Sequence, residues 1–375
     1  TYYHAKMARL MSEQGLTFDD FPYLNDTILK DSYVDYHWLY HVALIPFEGL
    51  FGGLTGIRVA TVIFAAVFIT VFFFVLLRSR ARYAPLMLLL LATVPTFMLR
   101  MSVAKATSLS LCCLFLGILF IIERRYILLF AISVLYVWVY GGFVLLAGTA
   151  FLFMISRGIT SVIEHKAHVM KARIIYLPVL RFFFRGFVAK DALKVGSVTI
   201  AGHLTGIVVN PYFSANMEFY WVQIYKIAMV GSPAAFDLGR GWYATPWPVL
   251  LFETVAVIVV FAVLLYLLVR FKTKWSGTFV FAAVMAIAFF VLTRRSLRMF
   301  EYAAPVWVWF LAIGFAGLRS SVSGESFRTK LKRVLWQTGA AKLGLVAVLA
   351  ATIGVFGFSL SQSLKFVKQS LNNHP

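Results

Sequence analysis

Acidic residues are scarce in this sequence: 15 Asp and Glu stand against 35 Lys and Arg in 375 residues, and only 13% of the chain is charged. A soluble domain carries about 25% charged residues, so the composition excludes a water-facing globular surface of this size. Cysteine is nearly absent. Cys112 and Cys113 are adjacent within an apolar run, where they read as small helix residues rather than a disulfide, a metal pair or a nucleophile. A Walker-type phosphate loop, a dinucleotide fingerprint, His-Glu-x-x-His and Gly-x-Ser-x-Gly are all missing, which argues against soluble nucleotide chemistry. No clear repeat of about 20–50 residues and no convincing inverted repeat is visible.

What is abundant is apolar: 61% of residues are hydrophobic. Several solid apolar blocks approach or pass the roughly 18–20 residues a helix needs to cross a bilayer. A β-barrel would alternate apolar and polar positions instead. The expected fold is therefore an all-α, polytopic transmembrane helical bundle with about 9–11 spans or half-spans. Crossings read at about Leu54–Leu77, Ala84–Leu99, Thr107–Ile122, Val195–Val209, Pro248–Val269, Gly277–Leu292, Tyr302–Leu318 and Leu343–Phe358. Tyr126–Ile155 is long for one crossing and short for two, so a hairpin turning near Gly141–Gly142 is expected. Trp38–Phe51 reads as an interfacial helix. The formal charge of +20 does not imply nucleic acid, since no basic stretch belongs to a nucleic-acid module and cytoplasmic loops collect Lys and Arg.

That rule also orients the chain. Arg78, Arg80, Arg82, Arg124, Arg125, the basic stretch 157–194, Arg270, Lys272, Lys274 and the block Arg319–Arg333 fall on the cytoplasmic side. Residues 1–53 form a first outer loop, 54–360 the transmembrane domain, 210–247 a second outer loop and 361–375 an outer tail. Residues 157–194 read as amphipathic basic segments on an anionic leaflet. Eleven of the 15 acids then lie at or near the outer side, and only Glu123, Glu164, Asp191 and Glu325 fall inside. Acids contribute little to insertion, so their segregation suggests use. One span is expected to precede Thr1, and the polar tail is expected to stop short of a further segment.

Polar residues converge on the outer face. In Asp31-Ser-Tyr-Val-Asp35-Tyr-His37-Trp-Leu-Tyr-His41, an extended backbone would align Asp31, Tyr33, Asp35 and His37. A helix capped by Asp35 would stack His37 and His41 one turn apart. Asp35, Asp31 and Asp20 are candidate bases, and Asp31, Asp35 and His37 candidate ligands for a divalent ion, Mg or Mn. A polar cap with an aromatic belt explains the same residues. Tyr2, His4, Lys6 and Arg9 begin an amphipathic helix. Arg100 and Lys105, with Arg294, Arg295 and Arg298, put positive charge on the wrong side for insertion, which suits capture of a phosphate; local pairing of Arg298 with Glu301 is the competing explanation. Asn210–Asn216 opens the second outer loop, where Trp242 and Trp247 suit carbohydrate or headgroups but also belong to any interface belt.

The stretches Tyr2-Tyr-His-Ala-Lys-Met-Ala-Arg9 and Asp35-Tyr-His-Trp-Leu-Tyr-His41, with Arg294–Arg298 before Tyr302 and Pro305, resemble the GT-C superfamily of membrane glycosyltransferases, to which the catalytic subunit of oligosaccharyltransferase belongs. The resemblance implies a polyprenyl-phosphate-linked sugar donor used on the non-cytoplasmic face, a divalent metal in some members, and inversion at the sugar carbon. Carried onto this chain, it implies donor-phosphate contacts from Arg294, Arg295, Arg298, Arg100 and Lys105, and sugar or acceptor contacts from His37, His41, Tyr2, His4, Trp242, Trp247 and Tyr302. It departs from the family in two respects: the family's first acid would lie upstream of Thr1, and no large soluble acceptor-binding domain is present. The expected setting is a bacterial or archaeal cytoplasmic membrane with the functional face outward. Membrane lipids and other membrane subunits are the expected partners, with no nucleic acid. A non-catalytic GT-C-like scaffold subunit and a lipid or solute transporter or flippase are the alternatives.

Overall fold

The computed structural model describes residues 2–18, 33–81, 83–166, 176–230, 243–271 and 273–320, with short pieces between 353 and 369. Every regular element among them is helical, so the all-α, polytopic reading holds. Five helices are long and apolar enough to cross a membrane: Gly53–Arg78, Gly141–Glu164, Trp247–Arg270, Gly277–Arg295 and Leu297–Leu318. Thr107–Glu123 and Tyr126–Val139 are shorter apolar helices. Leu343–Phe358, expected as a crossing, lies largely outside the described residues.

One expected crossing is not a single rod. Ala84–Leu91 and Pro95–Ser102 are bent by 86°, a broken span or a re-entrant loop. The cause is local. Pro95 removes an N–H and disfavours helix at Val94, and Thr93 turns its hydroxyl back onto the Leu90 carbonyl at 2.7 Å.

The chain divides into two compact units. The first comprises Thr1–Phe72, Met101–Gly158 and Phe184–Gly239. Here Tyr126–Val139 is flanked by Thr107–Glu123 and Lys190–Val208. The approach to Lys190–Val208 rests on Gly202 and Gly206, one turn apart. A Cβ on Gly202 would lie 2.6 Å from the Ser133 Cβ and 2.8 Å from the Phe130 carbonyl oxygen, and one on Gly206 would lie 2.9 Å from the Val134 oxygen. Small residues at that spacing let helices close in an apolar medium. Ser110 and Tyr136 share a buried hydroxyl hydrogen bond of 2.8 Å across the other pair. Tyr2–Gln14 docks on Trp38–Phe51 through Ala5, Ala8, Tyr40 and Leu44, with Ala104 and Ala106 in the same cluster.

Asp191 pairs with Arg124 and lies 3.5 Å from the Arg157 Nε. At Gly141–Gly142, where a hairpin turn was expected, Tyr126–Val139 ends, Tyr140 is extended, and a short 3-10 turn leads into Val144–Glu164.

The second unit comprises Phe73–Arg100, Ile159–Phe183 and Arg240–Pro375. Its centre is Phe300–Ser320, against which Ala84–Leu91, Trp247–Arg270 and Gly277–Arg295 pack. In the apolar window of Leu297–Leu318, 83% of residues are buried, against 33–39% in the other crossing helices. Trp309 donates its indole N–H to the Ser79 hydroxyl at 3.0 Å, tying that core to the end of Gly53–Arg78.

Candidate functional site

The first-loop site is built on a turn. Asp35 accepts the His37 backbone N–H on Oδ1 at 3.0 Å, and its carbonyl accepts from Trp38 at 3.2 Å. Asp35 therefore makes an Asx-type turn one step ahead of the helix. His37, not Asp35, occupies the N-cap of Trp38–Phe51. The second carboxylate oxygen is then free to meet His41, one turn into the helix: His41 Nδ1 lies 2.6 Å from Asp35 Oδ2. Both side chains are fully buried.

The chain of hydrogen bonds continues. His41 Nε2 lies 2.7 Å from His4 Nδ1, contributed by the docked helix Tyr2–Gln14. A carboxylate can only accept, so His41 donates from Nδ1 and its Nε2 lone pair accepts from the Nδ1–H of His4. That order leaves the lone pair of His4 on Nε2, the half-exposed end of the chain. Burial first, then the neighbouring His41, push the His4 pKa down to about 3. The ring is neutral near pH 7 and its outer nitrogen carries no proton.

Tyrosines and rings wall this chain. Tyr3 stands edge-on to His4 and His41, and its hydroxyl lies 3.3 Å from that of Tyr33. Desolvation, and then the Asp35 charge, hold both phenols well above the usual tyrosine range, so both stay protonated. His37 lies over Tyr140, Tyr36 over Phe219 at 4.6 Å, and Tyr33 meets Tyr212 edge-on. The Asn210–Asn216 stretch serves this wall. Asn210 makes a second Asx turn by accepting the Tyr212 N–H, Tyr212 accepts the Phe18 N–H at 3.4 Å, and the Asn216 amide reaches the Ile207 carbonyl.

Among the described residues, Asp35, His37 and His41 each offer a ligand atom within 4.8 Å of one another; of the expected set Asp31, Asp35 and His37, Asp31 lies outside those residues. One carboxylate with two imidazoles suits an ion such as Zn or Fe better than Mg or Mn, which favour oxygen ligands. The separation of 2.6 Å between Asp35 and His41 is that of a shared proton, not of two ligands on one ion. As arranged, Asp35, His41 and His4 form a proton chain.

The second unit holds the expected arginines. Glu301, 1% exposed, lies 3.4 Å from the Arg100 Nε and 3.8 Å from the Arg298 Nε. Two cations on one carboxylate leave a net positive charge. Arg294 lies over the Trp247 ring at 4.1 Å, and its Nη1 is buried without a hydrogen-bond partner among the described residues. Trp247 also lines an apolar groove of about 970 Å³ with Leu250, Phe261, Phe279, Phe290 and Phe310. Arg295 sits at the end of the same helix.

Several expectations change at this level. Lys105, paired with Arg100 in the sequence reading, belongs to the first unit, where its charge acts on His4. Tyr2 is 69% exposed, and Tyr3 takes the place beside the histidines. Tyr302 is 1% exposed, a core side chain of Phe300–Ser320 rather than an open platform. Asp20, Asp31 and Trp242 lie outside the described residues. Tyr33, which an extended backbone would align with Asp35, stands in the aromatic wall of the first-loop site, whereas Tyr3, Tyr140 and Tyr212 were given no part in the site by the sequence. Helix phase could have marked Tyr3, which lies next to His4 and one turn before the buried Met7.

A solved structure is similar over most of this chain: the Archaeoglobus fulgidus oligosaccharyltransferase in its apo form. The TM-score is 0.57 at 14% identity, over 96% of this chain and 51% of that one. The chain therefore spans about half the length of that structure. No protein-family model matches the sequence, and no curated protein matches it. At this identity the likeness shows the fold alone: the chain shares the helical architecture of that oligosaccharyltransferase over the aligned length, and its described residues include five helices long and apolar enough to cross a membrane.

Proposed function

We propose that the chain forms the membrane part of a GT-C-type glycosyltransferase that takes a sugar from a polyprenyl-phosphate-linked donor on the non-cytoplasmic face. The observation carrying this reading is the buried Asp35–His41–His4 chain on an oligosaccharyltransferase-like fold. In such a transfer an acceptor heteroatom bonds to the sugar carbon, the carbon–phosphate oxygen bond breaks, and the acceptor's proton needs a destination. The neutral Nε2 of His4 takes that proton, and its Nδ1 proton shifts toward His41 as the His41 proton shifts toward Asp35. The relayed proton neutralises the Asp35 carboxylate, so no positive charge is stranded on a buried imidazole.

The departing lipid phosphate needs positive charge. Within the second unit, Arg294, Arg298 and Arg100 offer such charge, the last two gathered on Glu301. Trp247 and the apolar groove beneath Arg294 give room for a polyprenyl chain. A non-catalytic scaffold has one observation in its favour, since a body that held no donor would also pair its arginines on Glu301.

The test uses the full chain, purified in detergent with its membrane partners, and a radiolabelled polyprenyl-phosphate sugar. Release or transfer of the sugar is expected, with at least about a tenfold loss in Asp35→Asn and His41→Ala. Glu13→Gln, in an exposed pair with Arg9, retains activity. Absence of turnover in the wild type, or full turnover in both site variants, would favour the scaffold.

A further inference from the structure

Pro95–Ser102 is an eight-residue helix, shorter than the roughly 12–15 residues at which isolated helices become even marginal. Its first free donor is the Thr96 N–H, because Pro95 has none and Val94 offers no capping oxygen. That donor is met from another helix. Glu253, 5% exposed in Trp247–Arg270, accepts the Thr96 N–H at 2.8 Å on one oxygen and the Thr96 hydroxyl at 2.8 Å on the other. None of the ion pairs among the described residues includes Glu253. A serine or asparagine would satisfy a cap alone. A carboxylate within a crossing helix is costly and is kept for a use.

The other end of the same short helix carries Arg100, whose guanidinium lies against Glu301. An acid therefore sits at the positive end of the helix dipole, and the helix's own base at the negative end is held by a second acid. All four residues belong to the second unit. Beyond the 86° bend that separates it from Ala84–Leu91, Pro95–Ser102 is thus tied at one end by Glu253 and at the other by Glu301.

We infer that Glu253 is a positioning residue: it caps Pro95–Ser102 from the neighbouring crossing helix and so holds Arg100 in register with Glu301 and Arg298. In this role Glu253 acts on the Thr96 N–H and hydroxyl and on phosphate only through Arg100. Its effect on phosphate is exerted through the height and direction at which Arg100 leaves the short helix. This rests on the reading of those arginines as the phosphate holders.

The test has two arms on the full chain in detergent. In the first, hydrogen exchange is followed in wild type and Glu253→Gln, where the side-chain amide sets a donor against one of the two Thr96 donors. Amides 96–102 lose protection, while Tyr126–Val139 in the other unit is unchanged. In the second, geranyl phosphate binding is measured in wild type, Glu253→Gln, Arg100→Ala and the double variant. Glu253→Gln weakens binding about tenfold, as removing one charge-assisted hydrogen bond does, and adds almost nothing once Arg100 is gone. Thr96→Val, which removes only the hydroxyl donor, gives a smaller change in the same direction and serves if Glu253→Gln does not fold. Unchanged protection at 96–102 overturns the inference. So does an equal loss of affinity with and without Arg100, which is what a merely structural role would give. If the wild type binds no geranyl phosphate, the phosphate reading falls, and the exchange arm alone sustains or ends the clamp.

Discussion

Replacing Asp35 by Asn keeps the size of the side chain and removes its charge, and the order of the buried hydrogen bonds must then reverse. The Oδ1 that accepts from the His37 backbone N–H is retained by the amide oxygen, which turns the amide nitrogen toward His41. Two N–H groups cannot face each other across 2.6 Å. His41 therefore shifts its proton to Nε2 and accepts on Nδ1, His4 accepts on Nδ1, and the outer nitrogen of His4 becomes a donor. A base becomes an acid at the exposed end of the chain, 31 positions away in sequence from the substitution. The charge-assisted hydrogen bond between Asp35 and His41 is worth about 1.5–3 kcal/mol. At tenfold per 1.36 kcal/mol, removing it gives about a tenfold to hundredfold loss of sugar transfer, if its full worth appears in the transition state. The assay is nitrogen NMR of the histidine rings in protein labelled at histidine, read beside turnover. The Nδ1 and Nε2 resonances of His41 and His4 exchange their protonated and bare positions in Asp35→Asn. An unchanged His41 tautomer, or transfer at the wild-type rate with the tautomers inverted, refutes the chain as the proton path.

Three further outcomes are expected. The folded-state pKa of His4 is lowered from 6.5 to about 3, so the unfolded chain binds the extra proton first and the stability it contributes is present above about pH 6.5 and lost as pH falls toward 3; the thermal midpoint therefore drops on acidification, and His4→Asn shows a flatter dependence between about pH 7 and pH 5. Gly202→Ala sets a methyl 2.6 Å from Ser133 and 2.8 Å from the Phe130 oxygen, and overpacking of about 1–3 kcal/mol lowers the thermal midpoint in detergent; Gly148→Ala, with nothing within 4 Å, does not. Ser110→Ala leaves the buried Tyr136 hydroxyl without its 2.8 Å partner and costs about 1–3 kcal/mol, whereas Ser110→Ala with Tyr136→Phe costs less than the sum of the two single changes, read by denaturation of all three variants.

Class and local spacing were legible in the sequence because both are properties of short windows. An apolar run either spans a bilayer or does not, so five crossing helices needed no knowledge of their neighbours. Asp35, His37 and His41 lie within two helical turns, so a turn followed by a helix start was enough to bring them together. Pro95 likewise marks the break in the second expected crossing, where a continuous helix was expected. The spacing of Gly202 and Gly206 is equally visible in the sequence, but the close approach it permits needs a partner helix to be known.

What remained was decided by docking between distant segments. His4 reaches His41 across 37 positions because Tyr2–Gln14 lies on Trp38–Phe51, and that docking selects Tyr3 over Tyr2. Arg100 and Lys105 are five positions apart, yet the end of Pro95–Ser102 between them sends one to Glu301 and the other to His4. Glu253 caps Thr96 from 157 positions away. Composition and period are summed along the chain and fix how much is buried and in what kind of helix. A hydrogen bond or ion pair depends on a few ångströms between segments, and only the packed structure sets that distance.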